Sequence, residues 1–163
     1  MISDWKAASS TRIPFVLGPN LSPKNPGGSP DECEQMNTAK KVRIIVIDDE
    51  TLIADTVVEI LSAEGFEVTA ASNGASAIDL AKTFQPDIIL SDVIMPGMSG
   101  IETGIRIREF LPSCNIILFS GQAATVDLLA KAREQGHSFE VLAKPIRPDQ
   151  LISTIRKRAG MLQ

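Results

Sequence analysis

The stretch Val42-Arg43-Ile44-Ile45-Val46-Ile47-Asp48-Asp49-Glu50 decides the fold. Five of its first six residues, all but Arg43, are apolar and β-branched, the composition of a strand buried on both faces. The run ends abruptly in three acids. Downstream, Ile53, Val57, Ile60 and Leu61 recur at helical spacing and Gly65 is a stop signal. Residues 66–71 read as a second strand. Residues 75–84 read as a helix with Ile78 and Ala81 inward, broken by Pro86. A third strand over 87–92 carries Ile88-Ile89-Leu90. A loop rich in Gly, Pro and Met follows over 93–100, then a helix over 101–110 closed by Pro112. A fourth strand covers 115–120, a helix 123–135 up to Gly136, and a fifth strand 139–143. Lys144-Pro145 breaks that strand, and Pro148 opens a last helix to about residue 158.

Strands alternating with helices in this way predict an α/β domain, a five-stranded parallel sheet with helices on both faces. Right-handed crossovers narrow the topologies, and at this length the flavodoxin-like order 2-1-3-4-5 fits best. Ligands in such sheets bind beyond the carboxyl ends of the strands. Asp48 and Asp49 stand at the end of strand one, Asp92 at strand three, Ser120 at strand four and Lys144 at strand five. Strands one and three are neighbours in that order, so three carboxylates converge. Clustered anions repel and require a cation, and hard oxygen ligands select Mg²⁺ or a similar ion. A single carboxylate at a strand end is commonly a helix cap. Three from adjacent strands, with a lysine opposite, exceed what capping explains.

This constellation resembles the receiver domain of two-component response regulators. The matching segments are Val46-Ile47-Asp48-Asp49-Glu50 and Leu90-Ser91-Asp92-Val93-Ile94-Met95-Pro96-Gly97-Met98-Ser99-Gly100. Ile117-Leu118-Phe119-Ser120-Gly121 and Leu142-Ala143-Lys144-Pro145 complete the set. The resemblance spans about residues 41–158. It implies phosphoryl transfer onto Asp92 from the phosphohistidine of a sensor histidine kinase or histidine phosphotransfer protein. It implies a Mg²⁺ site of Asp48, Asp49, Asp92 and the backbone carbonyl of Ile94, with Asp49 a direct ligand and Asp48 acting largely through water. Lys144 is then the counter-charge to Asp92 and to the phosphoryl group, and Ser120 donates a hydroxyl to that group. Pro145 is commonly cis in relatives. The resemblance also implies partner contact near Ile53, Ala54, Val57 and Ile146, and output through a downstream protein target.

Glu50 suits the start of the first helix, as a cap or as a part of the metal site. Gly97 and Gly100 serve loop geometry, and Met95 and Met98 serve packing. One position departs from the family pattern. Many receivers place Tyr or Phe three residues before the lysine, where Val141 stands here. Phe139 is too far along the strand to replace it. His137, in a loop, is unsuited to phosphodonation. Cys114 reads as a reduced, partly buried thiol, and Arg156-Lys157-Arg158 as a solvated helix end.

Residues 1–36 hold five of the ten prolines, with Gly27-Gly28-Ser29, and read as a disordered leader before a receiver domain over 37–163. The leader's Ile13-Pro14-Phe15-Val16-Leu17 could dock elsewhere, Trp5 is expected to be solvent-exposed, and Met36 offers an alternative start. Hydrophobic residues make up 44% and charged residues 22%, a globular balance. A net charge of -4 argues against DNA binding. No apolar run suits a membrane span or signal peptide. Cys33 and Cys114 make no metal or disulfide pattern, so a cytoplasmic setting is simplest. Little chain follows the last helix, so a stand-alone receiver is expected. The competing readings are a phosphorylation-independent adaptor, which usually lacks an acid or the lysine, and an aspartyl phosphatase, which wants Asp-x-Asp on strand one. A switch with no external substrate fits best.

Overall fold

The computed structural model describes residues 40–160 apart from Gln122 and Ala124. The expected leader, with Trp5, Cys33 and Met36, lies outside the described residues. Within them the elements run β1 (Arg43–Ile47), α1 (Thr51–Ala63), β2 (Glu67–Ala71), α2 (Gly74–Phe84) and β3 (Ile88–Asp92). They continue with α3 (Gly100–Phe110), β4 (Asn115–Ser120), α4 (Thr125–Glu134), β5 (Glu140–Ala143) and α5 (Pro148–Arg158). The sheet order is β2-β1-β3-β4-β5, and every pairing is parallel. The 2-1-3-4-5 topology and the element sequence therefore match expectation. Boundaries move by a residue or two: Phe66, Asp87 and Phe139 precede their strands, and α2 and α3 each start one residue earlier, at glycine.

Alternation along the central strands divides the core into two layers. Ile45, Ile47, Ile89, Ile116 and Leu118 point to one face, where Ala77 and Ala81 of α2, Ile107 of α3 and Ala132 of α4 cover them. Ile44, Val46, Ile88, Leu90, Ile117 and Phe119 point to the other, under Val57 and Leu61 of α1 and Leu151 and Ile155 of α5. Burial on both faces is why these strands read as unbroken apolar runs. The edge strands β2 and β5 bury less and read less clearly.

Local chemistry fixes the helix starts. The Asn73 side chain accepts from Ser76 N–H and the Ser99 side chain from Glu102 N–H, each supplying one of the orphan donors of a helix N-terminus. Pro148 occupies the first turn of α5, where no N–H is needed.

Gly100 decides how closely α3 approaches β3. A Cβ there would collide with the Asp92 carbonyl oxygen and lie 2.7 Å from Ser91 Oγ. Gly97 holds the preceding loop at φ 81°, in the left-handed region open to glycine. Gly100→Ala is therefore expected to force the backbone at Asp92 outward and to cost about 1–3 kcal/mol of stability, the usual range for overpacking. Urea denaturation checks this; an unchanged midpoint would contradict the close approach.

The C-terminal basic run is a solvated helix end, with Lys157 and Arg158 exposed and both arginines in surface ion pairs. Arg156 pairs with Glu64 at 2.7 Å and Arg158 with Glu140, tying the end of α5 to α1 and β5. Cys114 is buried, and burial pushes its thiol up to about 12, keeping it protonated. Met95 is buried, and Met98 packs beside Gly74. His137 follows α4 outside any helix and stacks on Phe139. Among the described residues no helix is long and apolar enough to cross a membrane.

Candidate functional site

Asp48 and Asp49 follow the last residue of β1, and Asp92 is the last residue of β3. Because these strands are paired neighbours, one oxygen from each of the three carboxylates lies within 4.8 Å of the others. Consecutive residues take opposite environments: Asp48 is 2% exposed, whereas Asp49 faces solvent. Asp48 Oδ1 accepts the Glu50 N–H at 2.9 Å, closing an Asx turn into α1. Asp48 Oδ2 is buried and accepts no hydrogen bond, with Lys144 Nζ 3.6 Å away as an ion-pair contact. Asp92 Oδ1 accepts the Ile94 N–H at 3.3 Å.

Lys144 follows β5, and its peptide bond to Pro145 is cis. Its backbone N–H donates to Ser120 O at 2.8 Å, and its ammonium donates to Asp92 Oδ2 at 2.8 Å. Desolvation pulls the Lys144 pKa down. The hydrogen bond to Asp92 and the charges of Asp48 and Asp92 outweigh that and hold it above the ordinary lysine value. Lys144 is thus an ammonium throughout the neutral range. Lys144 is paired with two of the three clustered carboxylates, Asp48 and Asp92, so acids outnumber their cationic partner in the cluster. An all-oxygen donor set with an orphaned buried carboxylate oxygen suits a hard divalent ion such as Mg²⁺. A cavity of about 320 Å³ opens beside these groups, walled by Asp49, Glu50, Asp92, Ile94, Thr125 and Lys144.

Ser120 ends β4, one residue beyond the partner of Asp92 in the sheet. Its hydroxyl is hydrogen-bonded to that of Thr125, the first residue of α4. Thr125 is 2% exposed and was not foreseen; a threonine opening a helix carries no sequence signal that would single it out. Glu50 holds the N-cap position of α1, but its side chain makes no capping bond. Instead its carbonyl receives the N–H groups of Ile53 and Ala54, and glutamate is not among the favoured capping side chains.

Two of the four residues expected at the partner surface, Ala54 and Val57, are buried, at 3% and 5% exposure. Ile53, Val57 and Ile146 do line a shared apolar groove of about 370 Å³ between α1 and the β5–α5 loop. Ala54 is 3% exposed and packs in the core, because helical rotation puts it with Val57 and Leu61 on the sheet side. Leu52, 80% exposed, also lines this groove and was not among the expected residues. Its signal was an apolar residue off the buried stripe. On β5, Val141 is 37% exposed, while Phe139 is buried with the Arg108 guanidinium 4.9 Å over its ring.

A family model described as the response regulator receiver domain matches residues 44–156. The probable transcriptional regulatory protein TcrX of Mycobacterium tuberculosis is 30% identical over 123 residues, covering 74% of this chain and 52% of that protein. The DNA-binding response regulator MtrA of Mycobacterium tuberculosis is 28% identical over 123 residues, with 76% and 52% covered. The chain thus spans about half the length of these curated relatives. Among solved structures, a CheY-like receiver domain protein from Methanospirillum hungatei superposes with a TM-score of 0.67 at 25% identity, covering 74% of this chain and 95% of that one.

Proposed function

Because the chain belongs to the response regulator receiver domain family, whose members are signalling domains of two-component systems, we propose that Asp92 accepts a phosphoryl group from a partner's phosphohistidine. The observation carrying this reading is the 2.8 Å contact of Asp92 Oδ2 with Lys144 Nζ, among three carboxylates at the carboxyl end of the sheet. An Asp92 carboxylate oxygen attacks phosphorus. The new P–O bond forms as the P–N bond of the donor breaks, and its electron pair stays with the imidazole. Asp48, Asp49 and Asp92, with the Ile94 carbonyl, would hold Mg²⁺, which when bound offsets the repulsion between carboxylate and phosphoryl group. Lys144 pairs with Asp92 before transfer and with a phosphoryl oxygen after it. Ser120 turns its hydroxyl to the new phosphoryl group. Charge neutralisation and positioning supply the chemistry.

The groove bearing Leu52, Ile53 and Ile146 lies next to Lys144 and suits approach of the histidine-bearing partner. Output passes through protein contacts made by the modified form. The receiver unit is taken as 37–163, preceded by 1–36. Incubation with a small acyl phosphate donor and Mg²⁺ tests the reading. Incorporation of an alkali-labile phosphoryl group is expected, and no incorporation when excess chelator is present from the start. No incorporation from either the donor or a phosphohistidine protein would overturn it.

A further inference from the structure

Two facts restrict how Ser120 can respond. Its backbone is pinned: Ser120 pairs with Ala143 in the sheet, and its carbonyl accepts the Lys144 N–H at 2.8 Å. Any movement of its hydroxyl toward Asp92 is therefore a rotation about χ1, not a shift of the chain. Its hydroxyl is also engaged, hydrogen-bonded to Thr125 Oγ1. Thr125 is 2% exposed and forms part of the cavity wall beside Asp92 and Lys144, whereas Ser120 is not among the wall residues. The resting geometry thus holds the Ser120 hydroxyl on the α4 side of the site.

We propose that the Ser120–Thr125 hydroxyl pair is a resting-state latch, with Thr125 the positioning residue that keeps Ser120 off the phosphoryl cavity and relays its release to α4. The latch rests on the reading of Asp92 as phosphoacceptor. Rotating the Ser120 hydroxyl toward a phosphoryl group on Asp92 breaks the bond to Thr125. Thr125 is the first residue of α4, so the exchange is felt at the start of that helix without any aromatic rotation in β5. The apparent affinity for a phosphoryl group is lowered by the fraction of molecules that are latched.

Thr125→Val keeps the branched shape and removes the hydroxyl. With beryllofluoride and Mg²⁺ as the probe, this variant is expected to bind roughly three- to tenfold more tightly than wild type, the equilibrium value of one net hydrogen bond. Thr125→Ser restores the hydroxyl and is expected to return to wild-type affinity. In a Ser120→Ala background, Thr125→Val has nothing to release and its effect should vanish. In the metal-free protein, NMR couplings should show the Ser120 χ1 population moving in Thr125→Val. Equal or weaker beryllofluoride binding by Thr125→Val, or tightening that persists in Ser120→Ala, would overturn the latch. An unmoved Ser120 rotamer would also overturn the latch alone. Wild-type protein that takes no beryllofluoride would instead overturn the phosphoacceptor reading.

Discussion

Asp92→Asn is expected to lose phosphoryl uptake by about a thousandfold or more while remaining folded. Loss of a nucleophile removes the reaction rather than slowing it, which places the effect among the largest seen for single substitutions. The fold should survive because asparagine is nearly isosteric and its single amide oxygen still accepts from one of the two groups, the Ile94 N–H or the Lys144 ammonium, that Asp92 serves with separate oxygens. Lys144 loses one of the two carboxylates that hold its pKa up, so that pKa falls in the variant. Rates of uptake from a phosphohistidine protein, measured beside circular dichroism spectra, check both halves. Uptake at the wild-type rate would mean that another residue is the acceptor.

Asp49→Ala is expected to weaken Mg²⁺ binding by more than about a hundredfold, beyond the usual cost of changing a residue that only supports a ligand. Asp49 is the solvent-facing member of the three-carboxylate cluster, so its removal would take away a proposed metal ligand without opening a hole in the core. The same change relieves repulsion in the metal-free protein, and its melting temperature should hold or rise slightly. Added Mg²⁺ should raise the melting temperature of wild type but not of the variant, since an ion bound only to the folded state stabilises it. Isothermal titration gives the affinity directly. Wild-type phosphoryl uptake in excess chelator would remove the ion from the account.

Most of the sheet was legible because burial on both faces forces the composition. Residues 44–47, 88–90 and 116–119 have no polar face to present, and each proved to be a central strand. Once those strands alternate with helices, the order of a parallel sheet is tightly limited, and the residues at the strand ends fall together. What was not legible depends on rotation and on side-chain geometry. Ile53 and Ala54 are adjacent in sequence, yet one lines the α1 groove and the other is sealed in the core. Asp48 and Asp49 are chemically identical, yet one is buried and the other exposed. Glu50 stands where a cap belongs but has the wrong side chain for the bond. The pairing of Ser120 with Thr125 joins a strand end to a helix start, and no spacing rule connects those two positions.

The most direct test is to find the atom that carries the phosphoryl group. The protein is phosphorylated, reduced with borohydride, which converts an aspartyl phosphate to homoserine, and mapped by peptide mass spectrometry. Homoserine at position 92 and at no other acidic residue is the predicted result. Homoserine at Asp48 or Asp49, or a phosphoryl group retained on His137, would contradict the account.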